Sequence, residues 1–385
     1  MQFFKFTEEQ EMLRKAVREF VESEIAPHAA EWDENDHCPK ELFPAMGEMG
    51  MCGVFVPEEY GGAGLGWVER AIVLEEISRH SAGLGIAMMT HHLGMAPILQ
   101  FGTEEQKKRY LPELCAGTKI CGMTVTEPTG GSDLTGQRST GEFKDGKWII
   151  NGRKVFITNS HIVDYDVWTV STGKDEKGRN VISAFIIEPE DVGHKPGRKE
   201  NKIGLRGSVT GEVICEDVKL RADQLLGKEG QGIAIAMASI GEVGRAGMSA
   251  INVGILKGCL DEAVKFSNER IVYGKPIAKL QQMQLWIAEN RMYYEAGKLL
   301  TYRAASMKDA GVPCVTEFAM SKLFTTEYAC IAAKNTMDLM GAYGIINEYP
   351  VGRFYRDALA SIAAGGTSPI QKLIIAGATL SGKYE

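Results

Sequence analysis

No Cys-x-x-Cys pair occurs among the eight cysteines of this 385-residue sequence, and no Cys/His group has zinc-ligand spacing. Neither a disulfide framework nor a metal site is expected. A basic surplus is missing too: 43 Lys and Arg stand against 50 Asp and Glu, a net charge of -7, which argues against nucleic acid as a partner. No apolar run approaches the roughly eighteen residues that span a bilayer, so no membrane insertion is expected. Met1 to Thr7 is followed too soon by Glu8, Glu9 and Gln10 to be a signal peptide. These absences together point to a soluble protein of a reducing cytoplasm. What is present is ordinary globular composition, 44% hydrophobic and 24% charged, which excludes disorder and fibre.

The first third reads as helix. Thr7 and Gln10 form a capping-box pattern, followed by Met12, Leu13, Val17, Phe20 and Val21 at helical spacing. Glycines at 61, 62, 64 and 66 separate this from a second helical group running from Ile72 to about Leu114. From Cys121 the period becomes two. Lys147 to Ile150 lies between Asp145-Gly146 and Asn151-Gly152, both read as turns, and Val167 to Val170 and Val181 to Ile187 are further strands. After Gly232 helix returns, with Ile251, Ile255, Cys259 and Ala263 four residues apart. The expected fold class is α+β, with a helical domain over 1–120, a β domain over 121–228 and a helical domain over 229–385.

Met123 to Asp133 joins a short apolar strand to the Gly-rich turn Thr129-Gly130-Gly131-Ser132. Such a turn brings backbone N–H groups near a phosphate or an electron-rich ring, and by itself it equally reads as an ordinary β-turn. It has company, in order: Lys154 to Asn159, Arg270 to Pro276, Gln281, Met340 to Gly344, and Gly366-Thr367-Ser368. Over nearly its whole length the sequence resembles the acyl-CoA dehydrogenase family of flavoproteins.

The resemblance implies an N-terminal helical domain, a β-barrel-like middle domain and a C-terminal four-helix bundle, with FAD between the last two. It implies an acyl-CoA substrate, a homotetramer, and an electron-transfer flavoprotein as redox partner. Met123, Val125, Thr126, Gly131 and Ser132 match the strand and turn along the flavin, and Phe156 and Thr158 the residues beside its reactive edge. Arg270 and Tyr273 match adenine and pyrophosphate contacts, Thr367 a hydroxyl at the pyrophosphate end, and Gln281, Asp338, Gly341 and Ala342 contacts from a neighbouring subunit, although Asp338 replaces the usual Gln. Glu242 and Arg245 fall where the family contacts the CoA arm, and Ser132 is near enough in the pattern to reach the pantetheine. These types suit the chemistry. A flavin accepting hydride builds negative charge that backbone donors and hydroxyls stabilise, and an arginine forks to two phosphate oxygens.

One feature of the family pattern is missing. Dehydrogenation needs a carboxylate base over the carbon next to the thioester. Most of the family carries it as Glu in Tyr-Glu-Gly-Thr-Ser, where this chain has Ala364-Gly365-Gly366-Thr367-Ser368; a minority carries it directly before the arginine matching Arg245, where this chain has Gly244. Three candidates remain. Glu242 is two residues from Gly244, about 200° round a helix. His91 and His92 lie on the helix that the resemblance makes the wall of the acyl cavity; adjacent residues point about 100° apart, so one of them at most faces it, and the register favours His91. Loss of side chains at Ala364 and Gly365 opens substrate space, as in relatives of alicyclic and aromatic degradation that lack the Glu. The expectation is FAD-dependent dehydrogenation of a cyclic acyl-CoA, of cyclohexene- or cyclohexane-carboxyl type, by a relocated base with hydride transfer to N5. Alternatives left open are an ordinary short- or branched-chain dehydrogenase or enoyl-CoA reductase, a non-redox lyase such as a desulfinase, and a non-catalytic flavin- and CoA-binding protein.

Overall fold

A computed structural model describes residues 5–382, so the leader reading at the N-terminus falls mostly outside the described residues. Six helices come first: α1 (Glu8–Phe20), α2 (Ala29–Glu34), α3 (Phe43–Glu48), α4 (Trp67–Ser78), α5 (Ala82–Phe101) and α6 (Glu104–Cys115). α1 begins where the capping box places it. The Thr7 hydroxyl accepts the Gln10 N–H at 3.2 Å and the Gln10 side chain accepts the Thr7 N–H at 3.0 Å, so two donors that a helix start leaves open are satisfied reciprocally. Thr103 and Gln106 repeat the device at α6.

α5 overturns the expectation about apolar runs. Its 20 residues are long and apolar enough to cross a membrane, with a window of mean hydropathy 1.2, yet 89% of that window is buried inside the protein. A helix that is apolar all round is one packed on every side. Here α4, α6, the first strand and the helices of the last third surround it. Pro97 lies within it and has no N–H, so the Leu93 carbonyl one turn earlier loses its usual donor. The Ser239 hydroxyl, arriving from the C-terminal third, donates to that carbonyl at 2.7 Å.

The middle third is one mixed sheet of β1 (Cys121–Thr124), β2 (Thr140–Lys144), β3 (Lys147–Thr158), β4 (Tyr165–Lys174), β5 (Asn180–Ile187), β6 (His194–Lys199), β7 (Thr210–Arg221) and β8 (Leu225–Leu226). The order is β6-β7-β3-β2-β4-β5-β8, with β1 joined parallel to β4. Asp145-Gly146 is the hairpin turn expected, both residues at positive φ. Asn151-Gly152 is not a turn, which corrects the sequence reading. β3 runs through it with a register shift between Ile150 and Gly152, and the Asn151 side chain instead exchanges two hydrogen bonds with Asp217, at 3.0 and 2.8 Å. Glycine is needed at 152 because a Cβ there would run into Ser139.

The last third holds α7 (Gly232–Ala236), a π-helical stretch over Met237–Gly244, α8 (Arg245–Glu269), the two-stranded β9 (Ile271–Val272) and β10 (Lys275–Pro276), α9 (Gln281–Asp309), α10 (Val315–Met340), α11 (Val351–Ser361) and α12 (Ser368–Leu380). α8, α9 and α10 pack on one another, and α4 packs on α8. Ile251, Ile255, Cys259 and Ala263 are fully buried, as their period predicts.

The Ser239 bond yields a prediction. Ser239→Ala leaves a buried carbonyl without its donor and lowers stability by about 1–2 kcal/mol, read as a lower urea midpoint at constant slope. An unchanged midpoint would mean that Leu93 has another donor.

Candidate active site

The segment from Met123 to Thr126 meets β3, the strand that carries Phe156 and Thr158, where β1 ends. Just beyond β1 the Thr126 carbonyl accepts the Val155 N–H at 2.9 Å, laying the segment across β3. Lys154 fastens it from within. Its side chain is wholly buried, and its three N–H groups have three acceptors: Val125 O at 3.0 Å, Glu127 Oε1 at 2.9 Å and Gln137 Oε1 at 2.9 Å. Burial lowers its pKa to about 8, against the opposing pull of Glu127. Glu127 also accepts the Arg138 and Ser139 N–H groups, so this motif carboxylate is a clamp. Nothing in the sequence marked Lys154 for that role, because a lysine in an alternating strand reads as solvent-facing.

Phe156 stands outward from this platform, 66% exposed and held at φ +57°, a conformation that costs an aromatic residue about 1–2 kcal/mol. Met123 and Val125 are buried beside it, and Thr126 and Thr158 are half-buried. An exposed, strained aromatic next to apolar side chains and hydroxyls fits a flat heteroaromatic ring with polar edges. Gly131 packs against Thr126, a Cβ there falling 3.1 Å from its Oγ1, and Ser132 is exposed on the turn.

A second group sits at the far end of the helices. The exposed Arg270 guanidinium lies 5.3 Å from the centre of the Tyr343 ring, which packs with Phe266 and Tyr349 around a cavity of about 330 Å³. Arg270 makes no ion pair among the described residues, which leaves its fork open to an anion. Tyr273, 91% exposed at φ +52°, Gln281 at the head of α9, and Gly341 and Ala342 after α10 are all at the surface. Asp338 is exposed and ion-paired with Lys334. No hydrogen bond or ion pair among the described residues joins this group to the first.

The two places for a base are adjacent. Gly365 sits in the turn after α11 at φ +66°, and a Cβ there would lie 3.5 Å from the Gly244 carbonyl oxygen and 3.2 Å from Met248 Cγ. From the other side, a Cβ on Gly244 would meet Leu93 Cδ2 at 3.5 Å. The turn is held firmly. Fully buried Lys322 donates to Ile362 O at 2.7 Å and Gly366 O at 2.9 Å, and Gln371 donates to Gly365 O at 3.0 Å. Ala364 is half-buried, and Thr367 takes the N-cap position of α12.

Both histidines are corrected as bases. His91 Nδ1 accepts the Cys121 N–H at 3.0 Å, so its proton is on Nε2, which donates to Leu114 O at 3.0 Å. His92 Nδ1 accepts from Arg70 Nε at 3.2 Å, and its Nε2 donates to Met51 O at 3.1 Å. Each ring's only lone pair is therefore taken, and both are wholly buried. The face of α5 that meets α8 carries Met89 and Leu93, pointing at Gly247 and Gly244. Leu93 is the wall residue that the sequence reading missed, and its spacing from Met89 was the available signal.

Glu242 and Arg245 are both engaged within the chain. Glu242 is half-exposed and its carboxylate is ion-paired with Lys308 of α9. Arg245 is 6% exposed, its Nη1 donates to Gly241 O at 2.8 Å, and its Nε has no hydrogen-bond partner among the described residues.

The histidines give a pH dependence. Burial lowers the His91 pKa to about 4 and that of His92 well below 6.5, whereas the unfolded chain titrates near 6.5. Their contribution is complete above pH 6.5 and falls as pH drops toward 4, by up to about 1.4 kcal/mol per pH unit for each. Urea unfolding at pH 7.5 and 5.0 measures it. His91→Gln flattens the dependence and keeps turnover; loss of turnover in a folded variant would return His91 to the reaction.

Comparison with known proteins follows the same order along the chain. The profile of the acyl-CoA dehydrogenase N-terminal domain matches residues 7–118, that of the middle domain 122–218 and that of the C-terminal domain 230–380. An acyl-CoA dehydrogenase of Bacillus subtilis (strain 168) is 41% identical over 377 residues, covering 98% of this chain and 99% of its own. Butyryl-CoA dehydrogenase from Megasphaera elsdenii superposes with a TM-score of 0.94 at 34% identity, covering 98% of this chain and 100% of that one. A glutaryl-CoA dehydrogenase from Mycobacterium smegmatis, solved in complex with FADH2, superposes at 0.91 with 27% identity over 99% and 96% of the two chains. With every domain matched and relatives aligned end to end, the chain belongs to the acyl-CoA dehydrogenase family, FAD-carrying oxidoreductases that act on acyl-CoA.

Proposed function

We propose that this chain oxidises an acyl-CoA whose acyl group is substituted at the carbon beside the thioester, with a ring acyl of the cyclohexene- or cyclohexane-carboxyl type as the leading case. The observation that supports it is the missing side chain at both Gly244 and Gly365 and the small Ala364 beside them, which on this reading leave room over the acyl group. A linear acyl group, such as that of the butyryl-CoA enzyme it resembles, leaves that space unfilled, and unfilled apolar contact weakens both binding and orientation. The relocated base of this reading is not on α5, since neither histidine there has a free lone pair.

FAD, when bound, supplies the hydride acceptor. The chain's own residues bind and orient. Met123, Val125, Thr126, Gly131, Ser132, Phe156 and Thr158 form the platform for the ring, braced by Lys154. Arg270, Tyr273 and Thr367, with Gln281, Asp338, Gly341 and Ala342 of a neighbouring subunit, hold the nucleotide end. On this reading the chain works as a homotetramer of the cytoplasm that passes its electrons to an electron-transfer flavoprotein.

Anaerobic mixing of the holoenzyme with linear, branched and ring acyl-CoA thioesters, following flavin absorbance and product mass together, tests the reading. Bleaching with ring or branched thioesters alone is expected. Equal bleaching with butyryl-CoA would end it, and product without bleaching would favour the lyase alternative. Gly365→Glu restores a carboxylate at the ordinary place and raises butyryl-CoA turnover by about 10²-fold or more, the usual worth of a general base, with ring turnover falling.

A further inference from the structure

Strand β1 has two faces, and the platform uses one of them. Met123 and Val125 point to one side, while Gly122 and Thr124 alternate with them and point to the other. On that second side the Thr124 hydroxyl donates to Asp166 Oδ1 at 2.6 Å, and the Trp168 indole donates to Asp166 Oδ2 at 2.7 Å. Gly122 pairs with Asp166 across β1 and β4, and a Cβ on it would fall 3.0 Å from Oδ1, so the carboxylate lies directly against the strand. Asp166 is wholly buried, and both of these donors are neutral.

Charge in this interior does not balance. Lys154, whose ammonium is 5.8 Å from the centre of the Trp168 ring, is shared by two carboxylates. Glu127 touches it at 2.9 Å, whereas Asp166 acts on it through space alone, since its three N–H groups go to Val125, Glu127 and Gln137. A buried charge in excess is costly unless something answers it. The group placed to do so is His194, at the head of β6. Its ring stands edge-on to Trp168 with centres 6.0 Å apart, its side chain is 12% exposed, and its Nε2 lies buried 3.3 Å from Asp166 Oδ2 with no hydrogen bond formed. The other groups around it do not supply a cation. Cys215 pairs with it across β7 and has its thiol pushed up by burial, Asp191 is a further carboxylate, held by Gln224 and the Glu188 N–H, and Lys195 is exposed and paired with Glu216.

We propose that His194 takes up a proton from water when the flavin is reduced, and that Asp166 and His194 together set the reduction potential of the bound FAD. The inference rests on the reading that Met123, Val125 and Phe156 belong to the flavin platform. Reduction brings hydride, and with it one negative charge, to one face of β1. On the other face that charge adds to an anion already in excess, and an imidazole that becomes imidazolium offsets it. The flavin gains the hydride and one negative charge; His194 gains one proton, through the exposed edge of its ring, and one positive charge. Both residues act through β1, so they are positioning residues of the reaction.

Equilibrium reduction of the holoenzyme against a reference dye, read by absorbance as the ratio of reduced to oxidised flavin, tests this without any substrate. The range is about pH 8 to about pH 5, over which an imidazole changes charge. His194→Gln is expected to match wild type at the alkaline end and to fall about threefold or more below it at the acid end. Asp166→Asn keeps an acceptor for Trp168 and removes the charge, and it is expected to raise the ratio about threefold or more at about pH 8. A purely structural role predicts that a folded, FAD-loaded variant follows wild type at every pH, and that result in either variant overturns the inference. Should Asp166→Asn fail to load FAD, His194→Gln, at a partly exposed ring, still decides. Phe156→Ala separates the inference from the platform reading. If it shifts the flavin absorbance bands while the other two variants follow wild type, the inference alone is wrong; if it leaves the flavin spectrum and the ratio unchanged, the platform reading falls and the inference with it.

Discussion

Helix α8 is glycine at 247, 254 and 258, and at each position the first domain approaches more closely than a Cβ allows. Met89 and Arg70 lie against Gly247, the Glu75 carbonyl against Gly254, and the Arg79 carbonyl against Gly258, where a Cβ would fall 2.7 Å away. This close seating of α4 and α5 on α8 is the constraint on which the site depends. It sets Leu93 opposite Gly244, lets Arg70 reach the Val243 carbonyl, and brings Ser239 to the carbonyl that Pro97 leaves open. Native cores transmit shape changes because they are packed like crystals, so a methyl group on any of these glycines would be felt where the acyl group binds.

Around the site the buried polar groups share a pattern. Lys154, Lys322 and Arg70 are wholly buried, and each uses its donors on carbonyls or neutral acceptors that belong to turns and strand ends, with Glu127 the one carboxylate among them. The irregular backbone of the site, with its bulges, positive φ and π-helical stretch, leaves carbonyls that secondary structure does not satisfy, and long cationic side chains reach them.

Much of this was legible in the sequence. Capping boxes at Thr7 and Thr103, the Asp145-Gly146 turn and the four-residue period in α8 are local signals with local causes, and they became the elements they specify. The errors have tertiary causes. Asn151-Gly152 has turn chemistry, but the close approach of Ser139 and the bonds to Asp217 use the same residues within a strand. On α5 every face is buried, so periodicity carries no information about which face meets the cavity, and two histidines that suited a base proved to be satisfied core groups. Lys154 and Arg70 escaped notice because a charged residue in a sequence reads as solvated.

That Gly244 and Gly365 face each other bears on how such enzymes diverge. Because the Gly365 turn packs against the Gly244 backbone, a carboxylate borne on either segment starts from adjoining backbone although the two are 121 residues apart in number, so it can pass between them by two substitutions in either order. One order passes through a double carboxylate and the other through none. This chain stands at the second of those corners, with glycine at both positions.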